Sequence, residues 1–234
     1  MYDSLFYDYI ENQKAKEFID KIPNKIKSKC KIKRIEQGKI IVLRGNQIKS
    51  VFISCQGIMQ VSNEFENGFV YSFSSVEPIG YIGLMEIMAN KREYTSTLKA
   101  STECIILEIP KEDFKKWLNS DHQLTLDILK FISNIMYEQS LKTGEVLAYP
   151  SICILISYLI SVFESKDGDT VFLEKTREEI GSILGFSIRT INRNLKELKE
   201  EELISVSRKG VSITSEQFIK LSGKLEKVKK SKHT

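Results

Sequence analysis

The sequence predicts an α+β chain, and three stretches carry that prediction. Between about Cys30 and Ile109, apolar residues recur at every second position, interrupted at short intervals by glycine-containing turns. This is the pattern of a closed or nearly closed β-barrel or jelly roll. From His122 to about Leu147 the period becomes helical over one long run. Between Thr176 and Ile213 two capped helices joined by a tight turn are followed by a short hairpin, the order of a winged helix-turn-helix.

The 234 residues leave room for two modest domains, and a hydrophobic content of 41% suffices for a real core. No apolar run approaches the ~20 residues needed to cross a bilayer. Met1 to Ile10 carries Asp3 and Asp8 and no basic residue, so it does not read as a signal peptide. A cytoplasmic protein without a membrane partner is expected. The net charge of +4 is unevenly placed: residues 170–234 hold 14 Lys/Arg against 9 Asp/Glu, and the remainder 21 against 22. The basic excess sits with the helix-turn-helix, where phosphate neutralisation would need it. The tail from Lys220 to Lys232 adds lysines without aromatics, as a basic arm or a solvated helix end would.

Cys30, Cys55, Cys104 and Cys153 are scattered, with no Cys-x-x-Cys and no neighbouring His, and read as buried small hydrophobes. With only His122 and His233, neither haem nor zinc is expected. There is no phosphate-cradling Gly-Lys-Ser loop, no nucleophile motif beside a His and no His-Glu-x-x-His helix, so no enzyme is expected.

Along the chain, Leu5, Phe6, Tyr9, Ile10, Phe18 and Ile22 suggest one or two short helices ended by Pro23-Asn24. Strands are expected at Lys31–Glu36, Ile40–Leu43 and Val51–Ser54, ahead of Gly38, Gly45 and Gly57. Met59, Val61 and Phe65 lead into Glu66-Asn67-Gly68, and Phe69, Tyr71 and Phe73 return; Asn-Gly between alternating strands marks a hairpin. A short helix anchored by Trp117 follows Pro110, and Asp121 can cap the long one. On that helix Leu124, Ile128, Phe131, Ile132, Ile135 and Met136, with Gln139 less cleanly, make an apolar face wider than a lone surface helix needs. Packing on the barrel explains it, and so does a coiled coil with a second copy. Pro150 removes an amide and restricts Tyr149 just before the apolar run Ile152 to Phe163, which places a hinge there. The expected divisions are 1–120, 121–149 and 150–234.

The C-terminal stretch is the most specific. Thr176 and Glu179 form a capping box; Ile180, Ile183 and Leu184 recur at helical spacing; Gly185 supplies a left-handed exit; and Ser187 caps again. In the second helix Ile188, Ile191, Leu195 and Leu198 make a stripe facing the protein. Arg189, Asn192, Arg193 and Lys196 make a cationic face without a carboxylate until Glu197, presenting forks and amides suited to guanine and adenine edges. Ile204 and Val206 alternate into Arg208-Lys209-Gly210, and Val211 and Ile213 alternate out, a wing with a basic tip. An ordinary amphipathic helical hairpin would account for the helices alone, but not for caps, turn, cationic face and wing together.

The run Thr-Arg-Glu-Glu-Ile-Gly-Ser-Ile-Leu-Gly-Phe-Ser-Ile-Arg-Thr-Ile-Asn-Arg-Asn-Leu-Lys-Glu-Leu resembles the DNA-binding signature of the cyclic AMP receptor protein and fumarate-nitrate regulator family. The resemblance implies that Arg177 contacts a phosphate, that Ser187 and Thr190 lie near the DNA backbone, and that Arg193 reads a guanine. Ile188 and Arg189 depart from the family pattern, where a polar residue and often a glutamate stand, so a different preferred DNA sequence is implied. The resemblance further implies the cyclic-nucleotide-binding type of barrel. It also implies a homodimer reading a pseudo-palindromic operator in double-stranded DNA with two recognition helices ~34 Å apart, and RNA polymerase as a further partner. Some relatives hold an iron–sulfur cluster through closely spaced N-terminal cysteines; none precedes Cys30, and no cluster is expected.

In that barrel the ligand phosphate lies where a short helix begins, neutralised by an Arg-Ser or Arg-Thr pair, while a glutamate holds the ribose. The matching residues are Gly80, Tyr81, Ile82 and Gly83, then Tyr94 and Thr95. Tyr81 stands in the glutamate's place and Tyr94 in the arginine's, which removes a contact worth ~1.5–3 kcal/mol. Arg92, two residues earlier, would share a strand face and could replace it. The expected pocket therefore takes a small effector other than cyclic AMP, or none. The alternative is a ligand-binding regulatory subunit acting on a protein partner; a redox sensor working through an exposed thiol comes third.

Overall fold

A computed structural model describes residues 7–66, 68, 70–207 and 209–230. Leu5, Phe6, Asn67, Phe69, Arg208 and His233 lie outside the described residues. The chain forms two compact units, Met1–Phe65 with Ser72–Ile135, and Glu66–Tyr71 with Met136–Thr234. No helix of the described residues is long and apolar enough to cross a membrane.

In the first unit α1 (Gln13–Asp20) is capped by the Asn12 side chain, which accepts from Ala15 N, and it buries Ala15, Phe18 and Ile19. Helix α1 ends ahead of Pro23-Asn24, as expected. Pro23, with φ fixed at −57°, is set up for a helix start, and a four-residue α2 (Asn24–Lys27) follows it.

Eight strands follow: β1 (Lys31–Ile35), β2 (Ile40–Val42), β3 (Ser50–Gln56), β4 (Met59–Glu64), β5 (Val70–Val76), β6 (Tyr81–Ile82), β7 (Thr97–Ala100) and β8 (Cys104–Pro110). They make two four-stranded sheets, ordered β1-β8-β3-β6 and β2-β7-β4-β5, the two-sheet form of the expected barrel. Register fixes which side chains meet. Val51 lies opposite Ile109 and Ile53 opposite Leu107, all fully buried, and Met59 and Leu98 of the other sheet join the same core. Helix α3 (Leu84–Met88) lies between β6 and β7, and α4 (Lys111–Ser120) buries Phe114 and Trp117. Asp121 starts α5 (His122–Ala148): one carboxylate oxygen accepts from Leu124 N at 3.0 Å and the other from Trp117 Nε1 at 3.1 Å.

The second unit contains α6 (Ser151–Glu164), β9 (Thr170–Leu173), α7 (Arg177–Leu184), α8 (Ile188–Glu200), β10 (Ser205–Val206), β11 (Val211–Thr214) and α9 (Ser215–Lys230). Its sheet is ordered β10-β11-β9, and its core joins Leu155, Ile156 and Leu159 of α6 to Ile180, Ile191, Leu195, Leu198 and Ile213. The basic tail is more than a solvated helix end: α9 buries Leu221 completely and stacks Phe218 on Phe163, with ring centroids 4.7 Å apart. All four cysteines are buried.

Candidate nucleic-acid interface

Helix α7 is set by a complete capping box: Glu179 N donates to Thr176 Oγ1 (3.1 Å) and Thr176 N to Glu179 Oε2 (2.7 Å). It exits through Gly185 at φ +75°, a conformation that strains any residue with a Cβ. After Phe186, Ser187 Oγ accepts from Thr190 N at 3.2 Å and starts α8. The Ser187 and Thr190 hydroxyls lie 3.0 Å apart, so the two expected backbone contacts form one linked pair at the head of the helix.

Ile191, Leu195 and Leu198 turn inward, at 0%, 3% and 0% exposure. Ile188 does not: it is 44% exposed, because the first residue of α8 projects ahead of the turn that packs on the core. The inward line contains Asn194 instead, 1% exposed, whose Nδ2 donates to Ser151 Oγ at 3.0 Å. Asn194 lies three residues after Ile191 and four before Leu198. The helical period alone thus places it inside, a residue that neither the expected stripe nor the expected cationic face includes.

On the opposite side Arg189, Asn192 and Arg193 are exposed, and their side chains make no hydrogen bond or ion pair with another described residue. Lys196 reaches Glu200 at 3.7 Å, a solvent-exposed pair of small energy. Glu197 and Glu201 are drawn back by Lys224 of α9, at 3.2 and 2.6 Å. Arg177, the first residue of α7, is half-buried. The wing pairs Ser205 with Ser212 and Val206 with Val211, is closed by Ser207 N donating to Gly210 O at 2.9 Å, and leaves Lys209 exposed. Uncommitted guanidinium forks and an amide on one helix face can donate to and accept from base edges in a major groove.

The expected effector residues divide: Arg92, Tyr94 and Thr95 line one surface cleft, while Gly80, Tyr81, Ile82 and Gly83 do not line it. Gly83, at φ +82°, precedes α3, and a Cβ there would come within 3.0 Å of the Tyr94 ring. Tyr94 is 6% exposed, its hydroxyl donates to Ser50 O at 3.0 Å, and burial pushes that hydroxyl up to about 12. The residue in the arginine's place therefore fills its own space and satisfies its own donor. Thr95 gives both its N–H and its hydroxyl to Glu86 Oε1, at 3.1 and 2.8 Å. The strand argument for Arg92 fails, since around it only an isolated bridge joins Gln47 and Glu93. Arg92 is exposed in a surface cleft of about 370 Å³ with Arg44 and Lys91. Gly80 O accepts from Ser54 N at 2.9 Å, and Ile82 is buried opposite Phe52. Tyr81 lines a different groove, its ring 5.9 Å from Phe18 and 5.0 Å from Phe131.

On α5, Leu124 and Ile128 are buried in the first unit's own core, and Phe131 and Ile132 pack against it. Ile135 and Gln139 are half-buried. Of the expected face Met136 is turned to solvent, as are Leu126, Leu129, Tyr137, Leu141, Val146 and Leu147. Pro150 immediately precedes α6, its carbonyl accepting from Cys153 N at 2.9 Å. Among the described residues no group of three or more His, Cys, Asp or Glu could hold a metal ion.

A two-sheet barrel, a long helix and a winged helix-turn-helix with an open cationic face define a DNA-binding transcription regulator. The chain matches the family described as cyclic nucleotide-binding domain over residues 32–121 and that described as Crp-like helix-turn-helix domain over residues 155–219. It is 25% identical over 194 residues to the cAMP-activated global transcriptional regulator CRP of Salmonella typhimurium, covering 80% of this chain and 90% of that one. It is 35% identical over 136 residues to the probable transcriptional regulator flp of Lacticaseibacillus casei, covering 57% and 59%. The fold is shared with a crp/fnr-family putative transcriptional regulator from Eubacterium rectale, with a TM-score of 0.70 at 17% identity over 98% of this chain and 99% of that one. The chain belongs to the Crp/Fnr family of transcription regulators.

Proposed function

We propose that two copies of this chain pair through α5 and read a pseudo-palindromic DNA operator with their α8 helices, residues 1–120 sensing, 121–149 pairing and 150–234 binding DNA. The observation that carries this reading is the unpartnered face of Arg189, Asn192 and Arg193 on a helix whose other side is locked in the core. Ile188 joins the reading face rather than the core, while Arg177, Ser187, Thr190, Lys196 and Lys209 meet the backbone. The solvent-facing Leu129, Met136 and Leu147 of α5 supply an apolar strip for the second copy. Pro150, between two helices, supplies the hinge.

The Salmonella typhimurium regulator is cAMP-activated. For this chain an effector other than cyclic AMP, or none, is favoured by the Tyr94 ring and hydroxyl occupying the position of the phosphate's cation. The protein works as a cytoplasmic regulator with RNA polymerase as a further partner, without catalysis, metal or iron–sulfur cluster. The test is a salt titration of binding to operator-length DNA selected from a random pool. The logarithm of affinity is expected to fall steeply and linearly with the logarithm of salt as counterions are restored. A flat dependence, or no selected sequence, would instead support docking of the winged helix on a protein partner.

A further inference from the structure

Among the described residues after Pro150, three large apolar side chains are turned to solvent: Phe172, Ile188 and Ile219. Phe172 is on β9, its ring 3.1 Å from where a Cβ at Gly210 would lie, and Ile219 is on α9. Ile188 alone of the three is on the helix that carries Arg189, Asn192 and Arg193.

The folding of α8 does not use Ile188. The hydrophobic-staple positions on either side of the Ser187 cap are Phe186 and Ile191, and both pack in the second unit's core, outside which Ile188 lies. The helix start does not favour it either. A first turn gains from carboxylates; α7 has Glu178 and Glu179 there, whereas α8 has none. A β-branched side chain is also a poorer helix former than a straight one.

The placement suits a base edge instead. The first turn of a recognition helix is the part that meets bases in the major groove. Asn192 follows Ile188 by four residues, and Arg193 follows Arg189 by four, so two rows run side by side along the helix. Isoleucine has one strongly preferred rotamer in a helix, which fixes its methyl groups before any partner arrives. The other members of this face are two guanidinium forks and an amide, which hydrogen-bond. An apolar body beside them matches the one apolar group of a major groove, the 5-methyl of thymine.

We infer that Ile188 is a specificity-determining residue that reads the 5-methyl group of a pyrimidine, thymine in unmodified DNA, within the base pairs spanned by Arg189, Asn192 and Arg193. It rests on α8 being the helix that enters the major groove, and it adds a base chemistry that the cationic residues cannot supply.

The test uses the full chain and operators that it selects from a random pool. Each thymine of the selected half-site is replaced by deoxyuridine, which removes the methyl and leaves every groove-edge donor and acceptor in place. Affinities are measured at fixed salt. One thymine per half-site is expected to lose about fourfold on this change, and about fifteenfold when both half-sites are changed, as the burial of one methyl group each implies. Cytosine placed at that position should gain about fourfold when it is 5-methylated, a comparison that needs no protein variant. In Ile188→Ala both methyl effects should fall below twofold, while Arg193→Ala should leave them intact; far-UV circular dichroism checks that each variant folds. Deoxyuridine that costs nothing at any thymine, a methyl effect that survives Ile188→Ala, or a selected half-site without an A·T pair would overturn the role of Ile188. If Arg193→Ala still weakens the selected operator in that case, the reading of α8 stands; a chain that selects no sequence sinks both.

Discussion

The Asn194–Ser151 hydrogen bond allows a quantitative test of what holds the reading helix in place. Asn194 is 1% exposed among Ile191, Leu195 and Leu198, and Ser151 begins α6 directly after Pro150. Ser151→Ala leaves a buried amide without its acceptor, a loss of about 1–3 kcal/mol. In a domain of ~100 residues each kcal/mol lowers the midpoint by about 4–8 °C. Pairing Ser151→Ala with Asn194→Leu removes both polar partners and sets an apolar side chain of similar size against three others, so most of the loss should return. Far-UV circular dichroism during urea unfolding measures both variants, with Trp117 emission as an internal reference for the first unit. If the double variant is as unstable as the sum of its single changes, with a coupling below about 0.5 kcal/mol, the bond does not fix α8 as argued.

The remaining predictions follow from groups described above. Arg193→Ala should cost ~1–3 kcal/mol of operator binding and relax preference at one base pair per half-site, whereas Arg177→Ala should weaken all sequences alike; affinities on a randomised operator set distinguish them. Burial pushes the Cys55 and Cys30 thiols up to about 12, so thiolate is scarce at neutral pH. The folded protein should resist a mild alkylating reagent at all four cysteines by mass spectrometry, and rapid labelling of one would revive a thiol-based sensor. The Leu124 amide, followed by the Trp117 indole, holds the Asp121 carboxyl below the usual aspartate range. Its contribution is present above the unfolded value and lost as pH falls through the folded one. Trp117 emission should therefore change on acidification below the usual aspartate range, a change that Asp121→Asn removes.

Where the chemistry was local, the sequence was legible. The Thr176–Glu179 box, Gly185, the Ser187 cap and the Val206–Val211 hairpin depend on residues within a few positions of one another, and they form as read. The strand segments could be found by their period of two, but the order β1-β8-β3-β6 could not, because the pattern of a strand does not name its partner. Chemistry alone does not decide which way a residue faces, and Ile188, read as inward, is the correction here. Ile188 is apolar and outside because it precedes the first packed turn; Asn194 is polar and inside because the helical period puts it there. On α5 the apolar face was visible, but Leu124 and Ile128 serve the chain's own core, and only three-dimensional packing divides such a face between two duties. Tyr94 shows the same limit: the family resemblance gave its place, and only the Ser50 carbonyl explains what its hydroxyl does.

Helix α9 bears on the field that a passing polyanion would meet. The far end of α8 and the turn after it carry Glu197, Glu200, Glu201 and Glu202, four acids in six residues. Left bare, they would repel phosphates and offset Arg189 and Arg193. Lys224 bridges Glu197 and Glu201 from behind, and burial of its stem to 17% side-chain exposure keeps the counter-charge in place. The segment after the wing thus acts as a built-in shield: it lets one short helix stay soluble through its carboxylates and still look positive from the front.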